Sequence, residues 1–230
     1  ALNCPTNTYL MDKYSFKDMV IPPCTSDCGE ALGIGLFAFT KKMGCIPNVS
    51  IRHPFYGNPA SAFTDAIKTK YDHFVESVER VSPEVIAEDI TENVIAWVQG
   101  RAEIGPRALG HRSILGNPGR VEIKDQLNKI KQRQWWRPVA PIVMEDQVGL
   151  MYEQSRRSPF MLEAFKVNEE WKDKVPATIH LDGTARVQTL CREDNPLLYE
   201  VLECFFNRTG IPAICNTSLN DRGAPIIQET

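Results

Sequence analysis

Four stretches of the chain concentrate groups able to hold an anion. Residues 100–113 read Gly-Arg-Ala-Glu-Ile-Gly-Pro-Arg-Ala-Leu-Gly-His-Arg-Ser, with glycines that allow close backbone approach and arginines that offer planar forks to phosphate or carboxylate. Residues 129–138 read Lys-Ile-Lys-Gln-Arg-Gln-Trp-Trp-Arg-Pro. Lysines at the end of a predicted helix complement its dipole, worth about 0.3–1 kcal/mol each. That alone accounts for Lys129 and Lys131 as surface groups, but not for Arg137, held before a proline. Asp182-Gly183-Thr184-Ala185-Arg186 and Asn216-Thr217-Ser218-Leu219-Asn220-Asp221-Arg222-Gly223 add small polar donors. Singly these last two are ordinary turns; the four together describe a site for a multiply anionic small molecule, such as a nucleoside triphosphate with a second phosphate compound. There is no Gly-x-x-x-x-Gly-Lys-Ser/Thr, no Gly-x-Gly-x-x-Gly, and no Ser-His-Asp or Cys-His nucleophile. Phosphoryl or acyl-adenylate transfer here would rest on positioning and charge stabilisation.

The charge distribution agrees. The 26 Lys/Arg and 29 Asp/Glu give a net charge of −3, yet residues 100–137 hold nine Lys/Arg against three Asp/Glu. A positive cleft in an acidic body steers small anions, whereas a nucleic-acid-binding domain is usually basic overall, so no nucleic-acid partner is expected. No apolar run approaches the roughly 20 residues of a membrane span, and the first residues carry no secretory pattern. Seven scattered cysteines suit reduced thiols in a cytoplasm better than a disulfide framework.

Elements that would position these stretches alternate. Residues 30–42 read as a buried, closely packed helix ended by Gly44, and a Pro- and Gly-bearing linker, 47–59, marks a domain boundary. Thr64 would cap a helix with Ile67, Tyr71, Phe74 and Val78 on one face. Ser82-Pro83 is a helix start. Residues 94–98 read as a buried strand, Ile123, Leu127 and Ile130 as a helix face, and 139–144, 178–181 and 211–215 as strands. Asn195-Pro196 opens a helix with Leu197, Val201, Leu202 and Phe205 inward, closed by Gly210. Strands alternating with helices imply an α/β domain, with ligands beyond strand ends.

The same four stretches, with Arg137-Pro138-Val139-Ala140-Pro141 and Asp182-Gly183-Thr184-Ala185-Arg186-Val187-Gln188-Thr189, resemble the C-terminal region of the ATP-dependent O-carbamoyltransferases that modify nodulation factors and aminoglycoside or cephem antibiotics. The resemblance implies a YrdC-like fold over residues 51–230, a twisted mixed sheet flanked by helices, of the threonylcarbamoyl-adenylate synthase type. Its signature appears as Lys131-x-Arg133 and Ser218-x-Asn220. It implies conversion of carbamoyl phosphate and ATP, with Mg, to carbamoyl-adenylate for a sugar hydroxyl acceptor, by preference a nodulation lipo-chitooligosaccharide. By position, Lys131, Arg137 and Arg186 would hold carbamoyl phosphate. Arg107, Arg112 and Arg133 would hold phosphate oxygens, with Thr184, Ser218 and Asn220 orienting phosphate and ribose. Residues 1–50 resemble the tail of an actin-like transfer domain, in which the loop Pro22-Pro23-Cys24-Thr25-Ser26-Asp27-Cys28-Gly29 would supply Asp27 as an iron ligand. The paired histidines of that iron site are missing, so iron is expected in a complete protein and not in this piece. A homodimer is compatible with the resemblance. The competing readings are an ATP-binding regulatory module without turnover and a tRNA threonylcarbamoyl-adenylate synthase. The acidic balance opposes the second. A hydrogenase-maturation carbamoyltransferase should show Cys-x-x-Cys pairs, which are missing.

Overall fold

A computed structural model of the chain describes residues 1–14, 16–17, 19–48, 53–62 and 64–228. Its helices are α1 (Cys4–Lys13), α2 (Glu30–Met43), α3 (Asp65–Lys70), α4 (Pro83–Glu92), α5 (Val121–Ile130), α6 (Val148–Met151) and α7 (Pro196–Thr209). Its strands are β1 (Ile95–Val98), β2 (Arg112–Gly116), β3 (Ala140–Met144), β4 (Glu163–Lys166), β5 (Thr184–Leu190) and β6 (Ala213–Ser218). They form one mixed sheet in the order β1-β2-β6-β3-β5-β4, with β3 and β5 parallel and every other pair antiparallel. The fold is therefore a mixed α/β sheet flanked by helices. The expected boundary near residue 50 lies outside the described residues.

Residues paired across strands share a face of the sheet. Gln188 pairs with Ile142, Ile142 with Ile214, Asn216 with Ala140 and Leu115, and Ser218 with Ser113. One face thus divides into two halves. Trp97, Leu115, Ile142, Met144, Leu190 and Ile214 form its apolar half, under α4 and α7. Thr184, Arg186, Gln188, Asn216 and Ser218 continue the same face as a polar floor. The opposite face is apolar, with Ile114 and Cys215 under α5 and Ala185, Val187 and Phe165 packed with Met151 and Trp171. Burying each large apolar side chain stabilises the fold by about 1.5–3 kcal/mol.

Local chemistry explains α7. Asn195 accepts from Leu198 N–H, Pro196 sits in the first turn, and Gly210 ends the helix at φ 74°. Leu198, Val201, Leu202 and Phe205 are buried, at i, i+3, i+4 and i+7. The inward position expected for Leu197 belongs to Leu198, and Leu197 faces outward. At the far edge, α1 covers the open side of β4: Asn7 donates to Leu162 O at 2.7 Å, and Ala164 N–H donates to Thr8 Oγ1 at 3.0 Å. Side chains thereby take up backbone groups that an edge strand leaves free.

Several elements depart from the sequence reading. Residues 178–181 are not a strand: Thr178 Oγ1 bonds Val175 O, and Gly183, at φ 78°, turns the chain back so that extension begins at Thr184. β1 is an edge strand with only Trp97 buried, because nothing pairs on its outer side. α2 has the expected bounds and Gly44 cap but no buried residue; Ile34, Phe37 and Met43 are largely exposed, since among the described residues it packs closely only with the short turn Asp27–Gly29. Thr64 does cap α3, yet the helix stops at Lys70 and Tyr71, Phe74 and Val78 stay exposed. Among the described residues no helix is long and apolar enough to cross a membrane.

Candidate anion-binding site

All four cation-bearing stretches gather at one end of the sheet, where β6 stops and β2, β3 and β5 begin. The first follows β1 and leads into β2, the second joins α5 to β3, and the last follows β6, as expected; only the third, expected after a strand, leads into one.

The loop before β2 is built around an acid that the sequence reading passed over. Glu103 is buried, and its Oε1 accepts from the N–H groups of Leu109 (2.7 Å), His111 (2.9 Å) and Arg112 (3.3 Å). The floor and β1 hold the same loop from below. Trp97 Nε1 donates to Gly110 O at 2.8 Å, Gln188 Nε2 to Leu109 O at 2.9 Å and Asn216 Nδ2 to Ala108 O at 2.9 Å. Gly110 sits at φ 105°, and a Cβ there would stand 2.5 Å from Leu198 Cδ2. The result presents Arg107, whose Nε is buried without a protein acceptor.

Arg186 rises from the floor, two residues after Thr184 on the same face of β5. Its Nε also is buried without an acceptor. Burial, with the charges of Arg107 and Arg133 nearby, pulls its guanidinium down to about 10. Arg133 gives its Nε to Asn128 Oδ1 at 2.5 Å and keeps a buried, unpartnered Nη2. Asn128 in turn fixes the loop, donating to Trp135 O and Arg137 O at 3.0 Å each. Burial and the Arg137 charge lower Arg133 as well. Arg107 and Arg133 thus lie within electrostatic range of Arg186, and each of the three has a buried N–H with no acceptor among the described residues. Unpartnered buried donors of this kind are rare and costly, and an anion bound beside these cations would offset their charge.

Beside them, Lys131 Nζ donates to Ser218 O (2.7 Å), Ser218 Oγ (3.3 Å), Asn220 O (2.5 Å) and Asn220 Oδ1, while Ser218 Oγ donates to Asn220 Oδ1 at 2.6 Å. Burial first, then the Arg133 charge, lowers the Lys131 ammonium. Lys131, Arg133, Arg137, Ser218, Asn220 and Arg222 line an open cleft of about 610 Å³. Arg137 stands at its rim, donating to Gln134 Oε1 at 2.8 Å with its guanidinium over the Trp136 ring.

The other residues singled out from the sequence lie differently. Arg112 is fully buried; its two Nη groups donate to the carbonyls of Gln99, His111, Asn58, Gly100 and Gln228, at 2.8–3.3 Å. Its guanidinium ties the loop to the strand rather than joining the cluster. Thr184 Oγ1 donates to Asp182 Oδ1 at 2.7 Å and contacts His180 Nδ1 at 2.9 Å. Asp27 is exposed on a short turn, Asp27–Gly29. Among the described residues no set of three metal-capable side chains includes it. These residues do not fit an iron site, and no step is routed through iron. The set that does occur, Glu145, Cys191 and Asp194, is already bridged by Arg157. Glu103, Gln188 and His180, which bond the loops of this site, were not singled out from the sequence. Glu103 alone left a signal, as the one acid in residues 100–113.

Residues 87–230 match the family model described as Carbamoyltransferase C-terminus. The chain belongs to the carbamoyltransferase family, of which it carries the C-terminal region. It is 36% identical over 227 residues to nodulation protein U of Rhizobium fredii, covering 97% of this chain and 37% of that protein. It is 34% identical over 237 residues to nodulation protein NolO of Bradyrhizobium diazoefficiens, covering 99% and 43%. With 3'-hydroxymethylcephem-O-carbamoyltransferase of Amycolatopsis lactamdurans it shares 34% over 228 residues, covering 99% and 42%. The chain spans about two fifths of the length of these relatives. Among solved structures, full-length HypF in its phosphate- and nucleotide-bound form aligns with a TM-score of 0.44 and 17% identity over 66% of this chain and 19% of its own.

Proposed function

We propose that this end of the sheet binds carbamoyl phosphate and ATP and, with water, converts them to carbamoyl-adenylate, phosphate and pyrophosphate. The observation that carries the reading is the grouping of Arg107 and Arg133 around Arg186, with no carboxylate among the charges that act on it. Family membership supplies the carbamoyl group. Arg137 and Arg186 hold the carbamoyl phosphate, and Lys131 joins them by exchanging its Asn220 acceptors for phosphate oxygens; Arg107 and Arg133 take triphosphate oxygens, with Mg carried in by the nucleotide. Ser218 and Asn220 orient the bound groups through the Lys131 network. Arg112 has its geometry committed to backbone carbonyls, and its part is to hold the loop. In the whole protein the activated carbamoyl group passes to a hydroxyl, as the name of the cephem O-carbamoyltransferase states for that relative, and a sugar hydroxyl is the acceptor proposed here.

Calorimetry tests the binding. Lys131→Ala and Arg186→Ala are each expected to weaken carbamoyl phosphate binding by about 1.5–3 kcal/mol, the worth of a charged hydrogen bond, with the fold retained. Unchanged affinity in both would overturn the assignment. Turnover is tested by pyrophosphate release from this chain with and without carbamoyl phosphate. Release that depends on carbamoyl phosphate is expected. ATP binding without release would favour a regulatory module.

A further inference from the structure

The site as described is a nest of donors: lysine ammonium, guanidinium groups and small polar side chains. Carbamoyl phosphate offers acceptors on its phosphate and carbonyl, but it also carries an NH2, which needs an acceptor. Acetyl phosphate has the same outline with a methyl group in that place. A site selective for the carbamoyl compound must therefore present a lone pair next to the cations.

His180 has one. Its ring is fastened from the far side. The Asp182 carboxylate accepts only, so its 2.7 Å contact with Thr184 Oγ1 takes the hydroxyl proton. Thr184 Oγ1 must then accept at its 2.9 Å contact with His180, and Nδ1 is the ring nitrogen bearing hydrogen. The relay Asp182–Thr184–His180 leaves Nε2 unprotonated, and Nε2 is buried with no partner among the described residues. Thr184 and Arg186 leave β5 on the same face, which puts a ring tied to Thr184 at the sheet end near Arg186, where the charges of Asp182, Arg186 and Lys124 of α5 reach it. Burial keeps the imidazole neutral, and the Arg186 charge acts in the same direction against that of Asp182.

We propose that His180 is the specificity-determining residue of this site, its Nε2 accepting an N–H of the carbamoyl group and so distinguishing carbamoyl phosphate from acetyl phosphate. The inference rests on the anion-site reading above. Calorimetry on the chain with carbamoyl phosphate, acetyl phosphate and inorganic phosphate separates the two. The unsubstituted chain is expected to prefer carbamoyl over acetyl phosphate by about tenfold or more, the penalty for leaving one buried acceptor unmade. His180→Phe should make the two equal while inorganic phosphate affinity stays the same, and His180→Gln, which keeps an acceptor, should restore part of the preference. The inference is overturned if the preference survives in His180→Phe, if that variant loses inorganic phosphate to the same extent, or if the unsubstituted chain binds phosphate but never discriminates. Binding of none of the three compounds overturns the anion-site reading itself, and this inference with it. The nitrogen-15 resonance of Nε2 in the unsubstituted chain needs no variant to fold: it should move on addition of carbamoyl phosphate and not of acetyl phosphate, and equal responses to both would sink the idea.

Discussion

Arg112 and Arg186 stand at the starts of two strands of one sheet, and their surroundings assign them opposite work. Both keep a buried Nε with no acceptor among the described residues, but Arg112 directs its two Nη groups at backbone carbonyls, five in all, whereas Arg186 stands in the field of Arg107 and Arg133. Arg112→Lys replaces a planar fork with a point charge. It should destabilise the chain by roughly 2–4 kcal/mol in urea titrations, while the phosphate affinity of the folded fraction is unchanged. Nothing in residue type or spacing separated these two arginines, because the carbonyls that claim Arg112 come from residues as distant as Asn58 and Gln228. A pH effect belongs to this scale too. His111 is held by its Nδ1 contact with Arg101 O at 2.7 Å and lies flat on Phe55, and burial lowers its pKa, as it does that of His180. A histidine whose folded pKa lies below its unfolded value makes the unfolded chain the first to take up protons as pH falls. Stability should therefore be full above the unfolded value, about 6.5, and decline as pH falls below it. Denaturation series between pH 7.5 and 5.5 would measure the slope, and His111→Gln should flatten it.

At the scale of elements, the loop before β2 is the part whose shape the site depends on most. Gly110→Ala would force a side chain into a backbone conformation at φ 105° and against Leu198 of α7. A cost of about 1–3 kcal/mol is expected, and Arg107 would shift with the loop, so carbamoyl phosphate affinity should fall together with thermal stability. A stability loss with unchanged affinity would mean that the loop does not place Arg107. How far the sequence carried is clearest here. α4, α5 and α7 were legible, since Ser82-Pro83 and Asn195-Pro196 set their starts and their apolar spacing sets the buried face. β2 and β4 were not: β2 opens with a buried arginine and serine, and β4 begins and ends in charged residues, Glu163 and Lys166. β5 was displaced because the run 178–181 has strand composition while Asp182-Gly183 supplies the turn that postpones extension. Three of the four motifs were read in their right order relative to the strands; Asp182–Arg186 was not, since it opens β5 instead of following a strand.

For the molecule as a whole, the site leaves positive charge uncompensated, and an anion that fills it should stabilise the fold. At about 100 times its dissociation constant a ligand adds roughly 2.7 kcal/mol, equivalent to about 5–10 °C in midpoint for a chain of this size. Pyrophosphate added in thermal unfolding should produce such a rise, and Arg186→Ala should abolish most of it. The charge excess in residues 100–137 had announced this much from the sequence alone. What it could not announce was the division of a single sheet face between core and site. Ile142 and Met144 pack under α7, while Ala140, on the same strand and the same face, pairs with Asn216 of the floor. The binding surface and the folding nucleus of apolar contacts are therefore one surface, with no seam along which evolution could exchange one and keep the other. A change of floor residue that altered the small molecule accepted would be felt at once in the packing a few ångströms away. Substitutions at the rim, at Trp135 and Arg222, should disturb the strands least, and libraries built to alter the site's chemistry should start there.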